Sequence, residues 1–471
     1  MNWVEEELKY ADLGDKRRNK RLVTIVEDLA SCPNASVIEA VRDNAAMQGL
    51  YDFWSNRRIK AEDILGAHTA KTVERISQLD QVLLIQDTTE LDYSKHHKQG
   101  MGKLIGKGKK GLKVHSTLCV SLQGVPQGLI GQKVWAREQN RRTAGYKERK
   151  RAIEELESQR WLESLESSKQ QLPDTVRGIT IADREADIWR FLVQHQQLGM
   201  DFVIRGYHNR RSVAEALGEN GSREPLSKLI RKQPISGYVT ITLQRTPKRK
   251  RSRSAKLGIR YASLWIEPPQ GALTSEQKQP LKLQVLLVEE IDPPKTELPV
   301  SWLLLTSLEV TNLAQAQHCL ELYTYRWLIE RYHYTLKSGC NLEKLQLRKC
   351  DRIHRALATY SIVAWRLLWL LYSSRENPNQ PATIALEEQE WRSLYCVIHK
   401  DTIGKGTVMP EKPPTIYQCV RWIASLGGFL GRKCDGEPGV KTLWRGLERL
   451  KDVTLTWVMT LKFLKKEILA T

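Results

Sequence analysis

The chain is organised around Tyr323-Thr324-Tyr325-Arg326-Trp327-Leu328-Ile329-Glu330-Arg331-Tyr332-His333-Tyr334-Thr335-Leu336-Lys337. This stretch contains neither Pro nor Gly, and its apolar residues recur at helical spacing, so it predicts one α-helix. At about 100° per residue, the side chains of Tyr323, Arg326, Glu330 and Lys337 fall within an arc of roughly 60°. That edge is either a solvated face with favourable charge pairs or a site that handles a phosphodiester beside a metal ion.

Two acidic residues follow apolar runs in the preceding α/β part of the chain. Val82–Thr89 predicts a buried strand that carries Asp87 at its end, and 178–183 predicts another strand that ends in Asp183. Asp87 could instead cap a turn, and Asp183 could cap the helix predicted over Arg184–Gln197. A phosphodiester-cleaving site needs several carboxylates from different elements, because Mg²⁺ takes oxygen ligands.

Three segments resemble the motifs of DDE transposases of the IS-four family, most closely the Tn5 type. They are Asp87-Thr88-Thr89, Asp183-Arg184-Glu185-Ala186-Asp187 and the Tyr-x-x-Arg-x-x-x-Glu-x-x-x-x-x-x-Lys helix. The resemblance implies that Asp87, Asp183 and Glu330 are the catalytic metal ligands, with Glu185 and Asp187 as neighbours that could be confused with Asp183. It implies Mg²⁺, with Mn²⁺ as a substitute and two ions per site.

The same resemblance implies roles for residues that contact DNA. Tyr323, Arg326 and Lys337 would grip phosphates near the transposon end, and Arg205 would contact a DNA hairpin. Trp302 would stack on a base flipped out of the duplex, although an apolar strand around it also suits a core tryptophan. Tyr334 departs from the pattern, because a basic residue is expected there.

The amino-terminal residues 1–65 predict short helices. Within them, Gly14-Asp15-Lys16-Arg17-Arg18-Asn19-Lys20-Arg21-Leu22 places cations at a helix start, where they oppose the helix dipole. Phosphate contact or simple solvation would explain them equally well. The stretch also resembles the end-binding domain of the same transposases, so Arg17, Arg18 and Arg21 are candidate DNA contacts.

The order of predicted elements is that of a ribonuclease-H-like α/β fold, assigned by pattern and by resemblance together. Three strands are followed by helix, strand, helix and strand, and a β-rich insertion occupies about 206–300. The predicted domains are a helical end-DNA-binding domain (1–65), the catalytic domain (66–372) and a helical carboxy-terminal dimerisation domain (373–471). Two basic segments are predicted as loops, 98–113 as a mobile cationic segment and 245–260 as either a phosphate-backbone footprint or a disordered hairpin tip. Ser373–Pro381 and Asp401–Thr415 are predicted as linkers.

The composition favours a nucleic-acid partner. With 74 Lys and Arg against 54 Asp and Glu, the formal net charge is +20, which a polyanionic partner such as double-stranded DNA explains most simply. The acidic start is unlike a signal peptide, the apolar run Tyr360–Tyr372 is interrupted by Arg366, and the eight cysteines are scattered. These features predict a cytoplasmic protein that is associated with the bacterial nucleoid when it is bound to DNA. No membrane partner and no nucleotide partner are expected. The glycine-rich segment Gly106–Gly111 is not predicted to bind a dinucleotide, because a strand follows it and such a site needs a helix there.

The function predicted from the sequence is cut-and-paste DNA transposition by a homodimer. A ribonuclease-H-like nuclease or resolvase, and a DNA-binding regulator that no longer cleaves, are the two rivals. Retention of all three acids argues against the regulator, and the basic added segments argue against a minimal nuclease. The tail from about Thr415 is either a helical cap on its own chain or, by resemblance through Leu426-Gly427-Gly428-Phe429, the family's dimerising domain.

Overall fold

A computed structural model describes residues 2–41, 43–95, 98–137, 146–214, 223–243, 252–270, 275–295, 297–400 and 408–468. The helices are α1 (Trp3–Glu7), α2 (Lys16–Ser31), α3 (Val37–Val41), α4 (Asn44–Ser55), α5 (Ala61–Ile76), α6 (Tyr146–Gln171), α7 (Trp189–Gln197), α8 (Leu226–Lys232), α9 (Leu313–Thr324), α10 (Trp327–Tyr334), α11 (Cys350–Glu376), α12 (Glu388–Ile398), α13 (Ile416–Leu426) and α14 (Val440–Ile468). The strands are β1 (Gln81–Asp92), β2 (Gly102–Lys103), β3 (Lys110–Ser121), β4 (Pro126–Trp135), β5 (Arg177–Ala182), β6 (Asp201–Arg205), β7 (Arg211–Ala214), β8 (Glu224–Pro225), β9 (Gly237–Leu243), β10 (Arg253–Ile266), β11 (Leu281–Glu290) and β12 (Ser301–Thr306).

The chain divides into two compact units. The first unit comprises Met1–Gln78, Thr88–Asn140 and Leu328–Thr471, and the second comprises Leu79–Asp87 and Arg141–Trp327. The predicted helical ends, 1–65 and 373–471, therefore both lie in the first unit. Strand β1 contributes residues to each unit.

The second unit is built on a sheet that begins with the Gln81–Gln86 part of β1. This part pairs in parallel with β5, and β5 pairs in parallel with β6. Strands β12, β11 and β10 continue the sheet in antiparallel pairs, so the β-rich insertion extends the core sheet. Buried residues such as Leu84, Ile181 and Val203 fill its middle strands, as expected for parallel strands covered on both faces.

The first unit combines helices with a small antiparallel sheet. Strand β3 pairs with β4, and it lies beside the Thr88–Asp92 part of β1, where Tyr93 N–H donates to the carbonyl of Lys110 over 2.9 Å. The predicted α/β fold class with helical ends is thus confirmed.

Helix α11 is the buried centre of the first unit, where α2, α4, α5 and strand β4 pack against it. It is long and apolar enough to cross a membrane by length and composition, but 89% of its most apolar window is buried inside the molecule, as in a core helix of a globular protein. Its Arg366 guanidinium lies 4.6 Å from the ring of Trp3 and 4.3 Å from that of Trp369, and it donates to the carbonyl of Ala385. Burial lowers the pKa of Arg366 to about 9.

Two segments that were predicted as a loop and a linker form regular secondary structure in part. Residues 253–260 of the predicted basic loop form the start of β10, where Ala255, Leu257 and Ile259 are buried and Arg253 pairs with Glu290 and Glu297. The predicted linker from Ser373 begins later, because α11 continues to Glu376. The rest of the first loop, 245–251, and residues 401–407 of the second predicted linker lie outside the described residues.

Candidate active site

The register of β1 and β5 brings two of the predicted acids to the same level. Gln86 of β1 is paired with Ala182, the last residue of β5. Asp87 follows Gln86 along the chain, and Asp183 follows Ala182. Neighbouring strands lie about 5 Å apart, and residues at the same level have their side chains on the same face. Both aspartates are partly exposed, whereas Gln86 and Ala182 are buried. The sheet therefore places two carboxylates side by side at the point where β5 ends.

The local backbone fixes one oxygen of Asp183. Asp183 is in an extended conformation, and its Oδ1 accepts a hydrogen bond from Glu185 N–H over 2.8 Å, which caps a 3-10 helix over Arg184–Ala186. The alternative that Asp183 caps a helix is therefore correct for this oxygen. The other oxygen, Oδ2, has no hydrogen-bond donor among the residues that the structure describes, so it remains available to a ligand.

The two neighbouring acids have other partners. Glu185 Oε2 lies 3.1 Å from Nη2 of Arg160. Asp187 is buried, its Oδ1 lies 2.5 Å from Nη1 of Arg210, and its Oδ2 accepts the N–H groups of Tyr207 and His208 over 2.7 and 2.8 Å. These contacts break the helix predicted over Arg184–Gln197, because α7 begins only at Trp189. Glu185 and Asp187 are thus each paired with an arginine, whereas Asp183 is partly exposed and has no ion-pair partner among the described residues.

Three of the predicted DNA contacts, Tyr323, Arg205 and Arg326, lie near one another within the second unit. Tyr323 is buried within electrostatic range of Arg205, whose Nη2 donates to the carbonyl of Ser301 over 3.0 Å. Burial raises the pKa of Tyr323, the cations of Arg326 and Arg205 oppose the rise, and the Asp183 charge adds to it. Burial likewise lowers the pKa of Arg205. The phenol of Tyr323 therefore lies within electrostatic range of the second acid and of two cations.

The signature stretch is not one helix, so that prediction is wrong. Helix α9 ends at Thr324, a turn follows in which Arg326 N–H donates to the carbonyl of Tyr323, and α10 begins at Trp327. From Thr335 the backbone is a π-helix to Gly339. The arc calculated for a regular helix does not apply across these breaks, and tertiary contacts decide where each side chain lies.

The remaining two signature residues belong to the first unit. Glu330 lies on α10, partly exposed beside the buried Leu328 and Ile329. Lys337 lies in the π-helix, and its Nζ donates to the carbonyl of Glu90 over 2.7 Å and lies 3.4 Å from Oγ1 of Thr89. Lys337 is therefore fixed to the end of β1.

Two tryptophans on these elements are accessible. Trp302, on β12, is partly exposed, so it is not the core tryptophan that its apolar strand allowed. Trp327, which the sequence analysis did not single out, is 51% exposed at the start of α10. The sequence feature that could have identified Trp327 is its position next to Arg326, beside the polar edge of the stretch. A tryptophan so exposed is unusual in a folded chain.

The three amino-terminal arginines differ in their surroundings. The Arg17 side chain is 92% exposed and its Nη2 lies 3.0 Å from Oδ2 of Asp15, the residue that caps α2 as predicted. Arg18 Nη1 donates to the carbonyl of Leu13 over 2.9 Å. Arg21 is exposed, and its guanidinium lies against Gly49 of α4, where an added Cβ would meet it at 3.1 Å. Arg17 and Arg21 thus present charge to solvent, while Arg18 supports the turn before α2.

The carboxylate oxygens of Asp87 and Asp183 are part of the ligand set that a hard divalent cation needs. Carboxylate oxygens are the ligands that Mg²⁺ prefers, and Asp87 and Asp183 supply them from adjacent strands. Within the described ranges, however, no group of three or more His, Cys, Asp and Glu side chains lies close enough to hold a metal ion. The strand register thus brings two of the three predicted ligands to one level of the sheet.

In a comparison with known proteins, one family match spans all three motifs. Family models match the chain in succession: a transposase DNA-binding domain over residues 1–59, a transposase DDE domain over 78–366 and a Tn5 transposase dimerisation domain over 362–456. Among solved structures, the chain is similar to piggyBac transposase in the cryo-EM structure of its synaptic complex with hairpin DNA. That match has 10% sequence identity and a TM-score of 0.32, and it covers 80% of this chain and 68% of that one.

Proposed function

The chain belongs to the DDE transposase family of the Tn5 type, and from that premise we propose that it moves a DNA element by a cut-and-paste route. It is a DNA-cleaving transposase with DNA-binding and dimerisation domains. We propose that water cleaves one strand at the element end and that the freed 3′-hydroxyl attacks the opposite strand to form a hairpin. A second hydrolysis opens the hairpin, and the 3′ end then joins target DNA.

The paired positions of Asp87 and Asp183 carry this proposal. Phosphoryl transfer needs carboxylates that converge from different elements, and the register of β1 and β5 supports such a pair. Oδ1 of Asp183 is oriented by the Glu185 amide, so its carboxylate is positioned before a ligand arrives. Glu185 and Asp187 are engaged elsewhere, which leaves Asp183 as the ligand from its motif.

We propose Glu330 as the third ligand, on the strength of its place in the family's signature. Transposases with a DDE domain use divalent metal ions, and we propose Mg²⁺, replaceable by Mn²⁺, with two ions held by Asp87, Asp183 and Glu330. Such ions, when bound, activate the attacking oxygen and stabilise the leaving oxygen. The three carboxylates would hold such ions and leave coordination positions for substrate phosphate.

The surrounding residues would hold the DNA. The buried phenol of Tyr323 and the cations of Arg205 and Arg326 are suited to phosphate oxygens because burial strengthens charge-assisted hydrogen bonds. Arg205 is proposed for the hairpin, and partly exposed Trp302 for stacking on a flipped base. Lys337 would add a phosphate contact near the end of β1.

The two helical ends would supply recognition and pairing. We propose that residues 1–65 recognise the element end, mainly through Arg17 and Arg21, and that the carboxy-terminal part joins two protomers. Each protomer would then cut the end that its partner has recognised. The substrate on this proposal is double-stranded DNA of the nucleoid, with no nucleotide cofactor.

Substitution of each acid tests the proposal. Asp87→Asn, Asp183→Asn and Glu330→Gln should each abolish nicking of end DNA in Mg²⁺ and leave retardation of that DNA nearly unchanged. Glu185→Gln is the matched control, because its carboxylate is exposed and paired with Arg160, and it should cleave like the wild type. A substituted chain that still nicks at a comparable rate would remove that residue from the site.

A further inference from the structure

A cationic hairpin beyond the cleavage residues has no part in the chemistry proposed above. Residues 98–113 contain six lysines and no acid, and they include β2, a turn and the start of β3. We call 102–111 the lysine hairpin. It lies in the first unit, whose part of β1 begins at Thr88.

The lysine hairpin is held in place by backbone bonds. Gly102 and Lys103 pair with Gly111 and Lys110, and Leu104 N–H donates to the carbonyl of Lys109 over 3.0 Å. Glu90 of β1 accepts the N–H of Ile105 through Oε2 over 3.2 Å. The tip is thus tied directly to β1, and it presents its side chains from a fixed position.

A second cationic segment runs alongside. Gln99 forms a parallel bridge with Lys349 and donates its N–H to the carbonyl of Arg348 over 3.0 Å, while Lys98 Nζ donates to the carbonyl of Leu345. Leu345 and Leu347 are buried, and the residues between and beside them, Lys344, Gln346, Arg348 and Lys349, are exposed. We call 344–349 the basic strip.

Most of these charges are available to a ligand. In the part of the chain that the structure describes, Lys103, Lys107 and Lys110 of the hairpin and Lys344, Arg348 and Lys349 of the strip are exposed, and their side chains have no carboxylate partner. Lys109 is the exception, with Nζ 3.3 Å from Oδ2 of Asp92. Several unpaired cations held on ordered backbone form a footprint for a phosphate chain.

The tip adds an apolar side chain among the cations. Leu104 is 3% exposed, whereas the next residue, Ile105, is 70% exposed. Gly106 and Gly108 follow with φ of +110° and +76°, a conformation that favours glycine and turns the chain sharply behind Ile105. An apolar side chain surrounded by phosphate-binding groups is the arrangement by which proteins enter a base step and bend DNA.

We propose that the lysine hairpin and the basic strip bind target DNA, with Ile105 placed against a base step that bends there. This inference rests on the proposed function, since it concerns the DNA into which the cut ends are joined. Lysines are flexible point charges that contact phosphates without reading bases, which suits DNA of varied sequence better than a fixed element end. Recognition of the element end is already assigned to residues 1–65.

The test separates end cleavage from joining. Lys103→Gln, Lys107→Gln and Lys110→Gln are combined in the full-length chain, and Lys169→Gln, Lys278→Gln and Lys412→Gln, also exposed lysines, form a control with the same charge change. Both proteins are given uncut end DNA to measure nicking, and precut ends with a supercoiled plasmid to measure capture and joining. The wild type is measured alongside, because its failure to join would refute the proposed function and not this inference.

We expect the hairpin variant to nick end DNA like the wild type and to capture and join plasmid more than about tenfold less well at physiological salt. The slope of log capture against log salt should fall by about one for each lysine that contacts a phosphate. Ile105→Ala should keep the wild-type slope but lower joining and alter the choice of insertion sites. Joining at wild-type rates by the hairpin variant, or an equal loss of nicking and joining, would overturn the inference.

Discussion

Oδ1 of Asp187 lies 2.5 Å from Nη1 of Arg210, and both side chains are buried. Because Oδ2 of the same carboxylate accepts two backbone N–H groups, Asp187 fixes the segment after β6. Asp183, four residues earlier, has a single backbone hydrogen bond and a partly exposed carboxylate. One short motif therefore supplies a structural acid and a candidate metal ligand.

Removing the Asp187 carboxylate should destabilise the fold. Asp187→Ala would leave the Arg210 charge and two amides buried without a partner, so we expect the free energy of unfolding to fall by about 3–5 kcal/mol. Asp183→Asn, measured in the same urea titration, should change it by less than about 1 kcal/mol. An Asp187→Ala protein of wild-type stability that fails to cleave would identify Asp187 as the ligand.

Sequence periodicity predicted the strands of the core well, because their burial leaves a clear apolar signal. Val82–Thr89 and 178–183 lie within or overlap β1 and β5, and the alternation of Val239, Ile241 and Leu243 is that of β9. The register of β1 against β5, which aligns Asp87 with Asp183, could not be predicted, since it depends on packing between segments that are distant in sequence. The basic start of β10 was hidden because Arg253 is neutralised by Glu290 and Glu297, which lie far along the chain.

The break in the signature stretch shows a different limit. No residue between Tyr323 and Lys337 disfavours a helix. The turn at Tyr325 and Arg326 therefore cannot be predicted from the local sequence. Helix α9 packs against β6, where the buried Tyr323 lies near Arg205, and such tertiary contacts can offset the loss of one helical turn. Trp327, the first residue of α10, is 51% exposed.

The amino-terminal arginines should separate by role. Arg17→Gln is expected to weaken binding to end DNA and lower its salt slope by about one without changing stability, because Arg17 is exposed. Arg18→Gln should also lower the free energy of unfolding, by about 1 kcal/mol, since Arg18 holds the carbonyl of Leu13. Gel retardation over a salt series and thermal unfolding measure the two effects.

Lys16→Gln is the control for that pair, because Lys16 is exposed at the same helix start. Any loss of binding shared equally by Lys16, Arg17 and Arg18 would reflect general charge, and it would count against Arg17 as a specific contact.

His195 should make the protein sensitive to acid. It lies on the buried face of α7 between the rings of Phe191 and Phe202, and its Nδ1 lies 2.8 Å from the carbonyl of Phe191. Burial lowers its pKa from an ordinary 6.5 to about 4, although the Phe191 carbonyl and the Asp201 charge oppose the shift. Between pH 6.5 and 4 the unfolded chain binds a proton that the folded chain does not. Stability should therefore fall by up to about 3 kcal/mol as pH decreases through this window.

Urea unfolding at a series of pH values measures this contribution. His195→Leu should show a shallower loss of stability between pH 6.5 and 4, whereas His318→Gln, at an exposed site, should follow the wild-type profile. A His195→Leu profile parallel to that of the wild type would show that other groups cause the acid sensitivity.

The carboxy-terminal helices cannot be removed cleanly to test their part in pairing. A chain ending near residue 372 would lack the last residues of α11, which continues to Glu376. Leu367 and Leu371 of α11 share a buried cluster with Trp391, Ile416 and Leu443. Truncation would therefore expose a core, and its effect on pairing would be confounded with unfolding.

Exposed residues on α14 offer a sharper test. Leu455, Met459 and Phe463 recur every four residues along one face, and they are 52%, 62% and 61% exposed. Such an apolar stripe suits an interface between two protomers of a chain with a dimerisation domain.

We expect Leu455→Gln, Met459→Gln and Phe463→Gln in combination to preserve stability and binding to a single end but to abolish paired-end complexes. The control, Thr456→Gln with Thr460→Gln, should pair normally. Native electrophoresis with two end fragments of different length reports pairing, and mixed-length complexes formed by the triple variant would show that the stripe is not the interface.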